Sequence, residues 1–469
     1  MKRFALAIGL LLAGCSAPQT HPAVAPIAPD RLGLGLGDAQ APLVAADWWR
    51  GLGDAQLDRI MADALSGNPS LDIALARLRQ AESVLASRRA DNGPDVSLNA
   101  QEQYSRISGR YTIPPPFAGT TQWLGQAQAN LNWTIDLFGR QATAIGAARA
   151  STRAAALDVT AARLAIASAV AQTYVELARA EQQAAIARST IATRSNSLTL
   201  IQARIRNNLA SQLDATGART LLAQAQVALA RAEAQTALSR NALAALAGRG
   251  LDYPATITPT RLGFDTALPM PAAVPADLLS RRPDIAAALA RIEAASAGQE
   301  VARKAFLPNV NLMALAGFQA VGLGNLFTTD AATAGVGPAI HLPIFDGGRL
   351  RAGLAGATAA LDLATADYNN RVVGAVREAA DAVTRSRTIA TERTRQREVV
   401  RGLAETRRLN AIRVSTGLQS QLGLIDPDIR QLEAQQADIN LAADAVQARI
   451  ALAVALGGGF SSSSQGITQ

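Results

Sequence analysis

The chain has 469 residues, a formal charge of +8 and 49% hydrophobic residues, but aromatics are only 4%. Much of the apolar content is alanine, which favours helix yet buries little area per residue, so close helix–helix packing is expected rather than a thick aromatic core. A single cysteine excludes an intrachain disulfide. His21 lies in a linker-like stretch and His341 in a predicted strand, so no His-based triad or metal site assembles. Four methionines and two histidines give no soft-ligand cluster for copper. Gly33-Leu-Gly35-Leu-Gly37 precedes no strand–helix unit and is not a phosphate loop. No enzymatic activity is expected. Lys2 and Lys304 are the only lysines, so nearly all the positive charge is arginine. The arginines alternate with Glu, Asp and Gln along helices without a recognition motif, and no nucleic-acid partner is expected. The densest run, Arg385 to Arg408, reads as a surface for a protein partner, although Glu392, Glu398 and Glu405 interrupt it.

Residues 1–14 read as a signal peptide. Lys2 and Arg3 form its charged start, and Phe4 to Gly14 is too short to span a bilayer, which takes about 20 residues. It ends Leu12-Ala-Gly-Cys15, the pattern of a lipobox, in which the Cys takes a lipid (palmitate) and becomes the new N-terminus. No cofactor is expected beyond this covalent lipid on Cys15. Residues 15–46 are rich in Pro, Ala and Gly and read as a lipidated tether. No other segment reaches 18 consecutive apolar residues, so a membrane-crossing part must be built from strands.

Four segments alternate with period two. Val96, Leu98, Ala100 and Tyr104 interleave with Ser97, Asn99, Gln101 and Gln103; Glu102 breaks the apolar face and marks a membrane boundary. Trp123, Ala127, Ala129, Leu131, Trp133 and Ile135 interleave with Gln and Asn. Val310, Leu312, Ala314, Ala316 and Phe318 form a third set, and Val336 and Ile340 a looser fourth. Hairpins are expected over 95–135 and 308–345, with Tyr104, Tyr111, Trp123 and Trp133 as an interfacial belt. Uncharged polar residues on one face and apolar ones on the other suit a wall with water inside and lipid outside. Four strands cannot close such a barrel, whose smallest form has about eight, and lipid forbids open edges. Copies of the chain must therefore combine.

Between the strands run proline-free, alanine-rich stretches, Gly139 to Asn207 and Gly348 to Arg413. Helices of about 65 residues would reach about 100 Å. Return helices are expected over Gln212–Ala247 and Pro427–Leu456, with Asp426 as N-cap and Pro427 at the first helical position. Shorter helices precede the strands over Leu71–Ala90 and Ile285–Ala305. Small residues on several faces favour a helix with neighbours on both sides, as in a hollow helical cylinder.

The whole pattern occurs twice. Asn130-Leu-Asn-Trp-Thr-Ile-Asp-Leu-Phe-Gly-Arg140 matches Ala339-Ile-His-Leu-Pro-Ile-Phe-Asp-Gly-Gly-Arg349. Asn68-Pro-Ser-Leu71 matches Arg282-Pro-Asp-Ile285, and Pro94 matches Pro308, at one offset (308 − 94 = 214).

With the lipobox, Asp47-Trp-Trp49 and the closing Ala455-Leu-Gly-Gly-Gly459, these motifs resemble the TolC-like outer membrane factors of tripartite efflux systems, specifically the lipoprotein branch. The resemblance covers nearly the full mature chain. It implies a mixed α and β membrane protein: a homotrimer whose twelve strands, four per chain, close one outer-membrane β-barrel continuing into a long periplasmic α-helical barrel. In that scheme 71–94, 136–248, 284–307 and 346–456 form the α-barrel, and 47–70, 249–283 and 457–469 an equatorial region. Pro94, Pro308, Gly139, Arg140, Gly347, Gly348 and Arg349 mark the barrel–helix junctions. The implied function is a passive exit duct for small molecules or drugs, gated at its periplasmic tip, with a periplasmic adaptor, an inner-membrane pump and outer-membrane lipid as partners. Type I protein secretion is the alternative, and a periplasmic coiled-coil lipoprotein a further one that would need no strands. The tip in this family carries acids and polar links. Asp214 and Asp426 fall at the two turns, with Arg206, Arg204 and Arg413 near enough to pair with them; simple helix capping is the competing role. Gly423, Gln419 and Pro427 depart from the pattern, where other channels carry Asp, Arg and Ala, and Phe460 replaces a common Trp.

Overall fold

The computed structural model describes residues 21–28, 31, 44–110, 114–265 and 281–460. Cys15, Tyr111, most of the tether and parts of the expected equatorial segments (266–280 and 461–469) lie outside the described residues. The elements run α1 (Ala55–Gly67), α2 (Pro69–Ala90), β1 (Asp95–Arg106), β2 (Thr121–Ile135), α3 (Arg140–Arg206) and α4 (Gln212–Leu246). The second half repeats α5 (Pro283–Lys304), β3 (Asn309–Val321), β4 (Ala332–His341), α6 (Arg349–Ser415) and α7 (Ile425–Ala455). The two long helices have 67 residues each, about 100 Å of helix apiece. The chain divides into two compact units. One comprises Met1–Pro26, Arg77–Ala155 and Ala287–Asn369, and the other Ile27–Ala76, Ala156–Ala286 and Asn370–Gln469.

The first unit holds a four-stranded antiparallel sheet in the order β1-β2-β3-β4. Residues directly opposite in antiparallel strands point to the same face. The register pairs Leu98 with Ala129, Ala129 with Ala316, and Ala316 with Ala334. It likewise aligns Val96, Leu131, Ala314 and Val336. All four alternating patterns therefore agree on one apolar face, and Gln101, Gln126 and Gln319 share the other. Pro338 lies in β4, an edge strand, where a missing N–H interrupts fewest ladder bonds. In the same unit the tether is tied to α6. The backbone N–H groups of Ala23 and Val24 donate to the Asp362 carboxylate at 2.8 and 3.0 Å, and Asn369 donates to the Ala25 carbonyl.

The helices pack along narrow seams of small residues. In α6, buried Leu354, Thr358, Leu361, Thr365, Val372, Ala375, Ala379 and Ala382 follow the alternating three–four spacing of a heptad. In α4, Ala218, Ala225, Ala232 and Ser239 recur every seven residues. A strict seven-residue period winds helices left-handedly. Two helices are buried on several sides: in α3, Val170, Ala171, Tyr174, Val175, Leu177 and Ala178 are fully covered, and in α7, Ala443, Val446, Ile450, Leu452 and Ala453 are buried. An 18-residue stretch of α3 is apolar enough by length and composition to cross a membrane (mean hydropathy 1.5), but the covered side chains of this helix are spent on protein packing.

In the second unit, polar residues lock the seams. Buried Asp54 caps α1 through the Gln56 N–H and accepts from the Tyr174 hydroxyl at 2.7 Å and the Arg261 N–H at 3.0 Å. Burial and the Asp54 carboxylate push the Tyr174 phenol up. Glu181 on α3 accepts from Arg240 on α4 and from Thr260. Arg282 makes a two-pronged contact with Asp284 and reaches Glu378 on α6 at 2.8 Å. Burial works to raise Asp284, but the Arg282 guanidinium outweighs it and holds the carboxyl below its usual range.

The N-cap expected at Asp426 is corrected. A 3₁₀ turn, Gln421–Leu424, already has helical backbone angles at its end, so α7 starts at Ile425 with Leu424 as N-cap and no side-chain cap. Asp426 and Pro427 lie inside the first turn.

Replacing Asp54 with Ala is expected to destabilise the protein by about 2–3 kcal/mol, because three donors lose one buried acceptor. Chemical denaturation of the purified protein measures this; Asp58→Ala serves as a comparison outside this network.

Candidate functional site: barrel wall, junctions and helix turns

The wall has the dimensions of a membrane span. Trp123 and Trp133 lie on the apolar face of β2, ten residues apart (133 − 123 = 10). At about 3.3 Å per residue and a tilt near 40°, that is about 25 Å, the height of the apolar band in outer-membrane barrels. Tyr104 packs on Trp123 with ring centroids 5.0 Å apart. The Trp133 indole N–H donates to the Asn92 carbonyl at 3.1 Å. Aromatic rings thus mark both rims of the band.

At the two junctions the strand must hand over to a helix within a few residues. Pro94 and Pro308 stand immediately before β1 and β3. Gly139 (φ 68°), Gly347 (64°) and Gly348 (92°) adopt left-handed angles that a side chain would strain, and Arg140 and Arg349 begin the helices. Two aspartates that sequence reasoning did not single out do the capping. Asp136 accepts from the Gln141 and Ala142 N–H groups at 3.0 and 2.8 Å, and Asp346 from Gly348 and Leu350 at 3.0 and 2.8 Å. Donation by the Leu350 N–H, with help from Gly348 and the Arg349 charge, holds the Asp346 carboxyl below its usual range. Their signal was the repeated Asp just before each Gly-Arg. Lys304, the one lysine among the described residues, donates to the Gly139 carbonyl and the Thr143 hydroxyl at 3.2 and 2.8 Å.

The helix turns lie in the second unit and repeat each other at an offset of 209 (417 − 208 = 209). Asn208 (φ 54°) and Gly417 (φ 75°) take the left-handed position that ends each long helix. The next N–H, of Leu209 or Leu418, returns to the carbonyl of Arg204 or Arg413. Ser211 then begins α4 with a capping box. The Asp214 N–H donates to the Ser211 hydroxyl oxygen at 3.3 Å, and the Ser211 N–H and hydroxyl donate to Asp214 at 2.8 and 2.7 Å. The Ser211 N–H, then its hydroxyl and the Arg204 charge, hold Asp214 below its usual range. By the same offset Ser420 answers Ser211, and Gly423 answers Asp214 (423 − 214 = 209). The second turn therefore has no capping box. The counterpart of Asp214 is Gly423, not Asp426.

Asp426 is exposed and pairs with Arg430 of its own helix at 2.9 Å. Among the described residues of one chain, Arg206 and Arg413 make no ion pair. The link across the second turn is one that sequence reasoning missed: Arg407 on α6 with Asp428 on α7. Their 21-residue separation conceals it until the helices fold back. A cavity of about 180 Å³, lined by Leu200, Ala203, Arg204 and Leu209 with Ser420 and Leu422, brings the two turns together.

A family model described as "outer membrane efflux protein" matches residues 60–249 and 274–458. The chain belongs to the outer membrane efflux protein family. It is 31% identical over 466 residues to the outer membrane protein OprJ of Pseudomonas aeruginosa, covering 97% of this chain and 95% of that one. It is 33% identical over 364 residues to the fusaric acid resistance protein FusA of Burkholderia cepacia, covering 76% and 68%. The outer membrane protein VceC of Vibrio cholerae has the same fold, with a TM-score of 0.82 and 32% identity over 89% of this chain and all of that one. The CmeC outer membrane channel of Campylobacter jejuni superposes with a TM-score of 0.84 at 21% identity. This efflux protein is accordingly an outer-membrane channel component that extends into the periplasm, and its family is one of transport proteins.

In this efflux protein Ser211→Ala should speed amide exchange at the start of α4 roughly five-fold, whereas Ser420→Ala should leave the second turn unchanged. The lowered Asp214 carboxyl adds a pH dependence. Its contribution is fully present above the ordinary carboxylate value of 3.8 and is lost as pH falls through the lower folded value. Hydrogen exchange followed across acidic pH reads both effects.

Proposed function

We propose that three copies of the chain close one twelve-stranded barrel and continue as a periplasmic helical duct for small organic molecules. The observation that carries this reading is the four-stranded sheet with one apolar face and unpaired outer edges at β1 and β4. Lipid offers those edge N–H and C=O groups no partner, so a neighbouring copy must supply it. Relatives named for resistance to fusaric acid and efflux of toluene favour small-molecule export over protein secretion. The channel itself performs no chemistry. A periplasmic adaptor and an inner-membrane pump supply the work, and a lipid on Cys15 anchors the N-terminus.

The duct is shut at the helix turns. Asp214 fixes the first turn, and the Arg407–Asp428 link holds α7 against α6 at the second. Adaptor docking opens the duct by separating such links. Half-exposed pairs of this kind contribute up to about 1 kcal/mol, which is about five-fold in an opening equilibrium.

The purified protein should migrate as a trimer on unboiled gels and as a monomer after heating; a monomer without heating would overturn the barrel. In planar bilayers Arg407→Ala should raise the open fraction up to about five-fold. Combining Arg407→Asp with Asp428→Arg should restore the closed state, and failure to do so removes the link from the gate.

A further inference from the structure

Toward the loop between β1 and β2, the apolar face of the sheet changes character. Along β1 it reads Glu102, Tyr104, Arg106, opposite Gly125, Trp123 and Thr121. Glu102 and Arg106 are the only charged side chains on that face of the four strands. Both are exposed, and neither has a partner among the described residues. Four residues apart on an extended strand, they stand about 13 Å from each other, too far to pair. Between them the Tyr104 and Trp123 rings form a tilted pair, at 5.0 Å and 46°, with each ring substantially exposed.

Barrel closure uses the backbone edge of β1 and leaves its outward face uncovered, so this strip faces the membrane. The loop end of the strands is the extracellular end, because the helices lie on the periplasmic side. An unpaired carboxylate against acyl chains is costly, and the same holds for an arginine. The strip therefore straddles the rim that Trp123 marks, at the headgroup boundary of the outer leaflet, where polar groups can reach it. A headgroup that is simply anionic would satisfy Arg106 but be repelled by Glu102. The strip fits a headgroup with a phosphate at one end, hydroxyl or amide donors at the other, and a ring between them.

We propose that Glu102, Tyr104, Trp123 and Arg106 form a binding site for the headgroup of a phosphorylated glycolipid of the outer leaflet. Arg106 donates to the phosphate, the aromatic pair lies under the sugar, and Glu102 accepts from a hydroxyl or amide N–H.

The test titrates the detergent-solubilised oligomer with bis-phosphorylated lipid A, the same lipid after phosphate removal, and phosphatidylglycerol, with bound lipid counted by native mass spectrometry. Lipid A should bind wild type tightest. Arg106→Gln should weaken it roughly ten-fold, Arg106→Lys less, and Glu102→Gln a few-fold. Dephosphorylated lipid should bind wild type about as weakly as lipid A binds Arg106→Gln. Gln103→Ala, on the opposite face, should change nothing. Unboiled-gel mobility establishes that each variant is assembled. The site is overturned if lipid A binds both Arg106 variants like wild type, or if phosphatidylglycerol binds wild type as tightly as lipid A.

Discussion

In hydrocarbon every backbone N–H and C=O must find a partner within protein, and this chain carries a sheet that leaves two edges unanswered. The other features follow from that debt. The alternation of Gln and Asn with apolar residues has value only if the register keeps one face apolar across all four strands. The pairing does so: Val96, Leu131, Ala314 and Val336 fall in one row. A slip of one residue in any pair would turn amides into lipid along a whole strand. The neighbour that completes the edges must therefore also match in register, which makes assembly and the sidedness of the wall one problem.

The helices solve a different problem with different residues. A helix of 67 residues has no core of its own and must be held by its neighbours. Alanine at heptad positions lets helices approach closely but contributes little buried area, so polar contacts supply much of the specificity. Glu181 with Arg240, Arg282 with Glu378, and Asp54 beneath Tyr174 each join segments far apart in the chain. Removing one partner strands another polar group in a half-buried place, which is why such contacts fix alignment more firmly than their net energies suggest.

The internal repeat is symmetric where geometry demands it and asymmetric where it does not. Both junctions need left-handed glycine and an aspartate over the new helix N-terminus. Both helix turns need a left-handed residue, Asn208 or Gly417. Beyond that the halves diverge. The first turn is tied by Ser211 and Asp214, whereas the second, with Gly423 in the equivalent place, enters its helix through a 3₁₀ turn and leans on Arg407 and Asp428. The first turn carries a local capping box in addition to bonds between its helices, such as Arg194 to the Leu221 carbonyl, whereas the second has no such box and relies on bonds between helices.

The amino-acid sequence by itself determined the elements: the four alternating strands, the proline-free helices, the glycine junctions and the need for further copies. These are legible because periodicity and special backbone angles are properties of neighbouring residues. The long-range partners were decided only by the tertiary structure. The capping role expected for Asp426 failed because local angles set by Gln421–Leu424 started the helix earlier. Arg206 and Arg413, named for their nearness in the chain, make no ion pair among the described residues, while Arg407 and Asp428 meet because α6 and α7 fold back on each other. A charge at a helix surface has many candidate partners at similar separations. Which one it meets depends on the rotation and offset of two helices, quantities that no local pattern encodes.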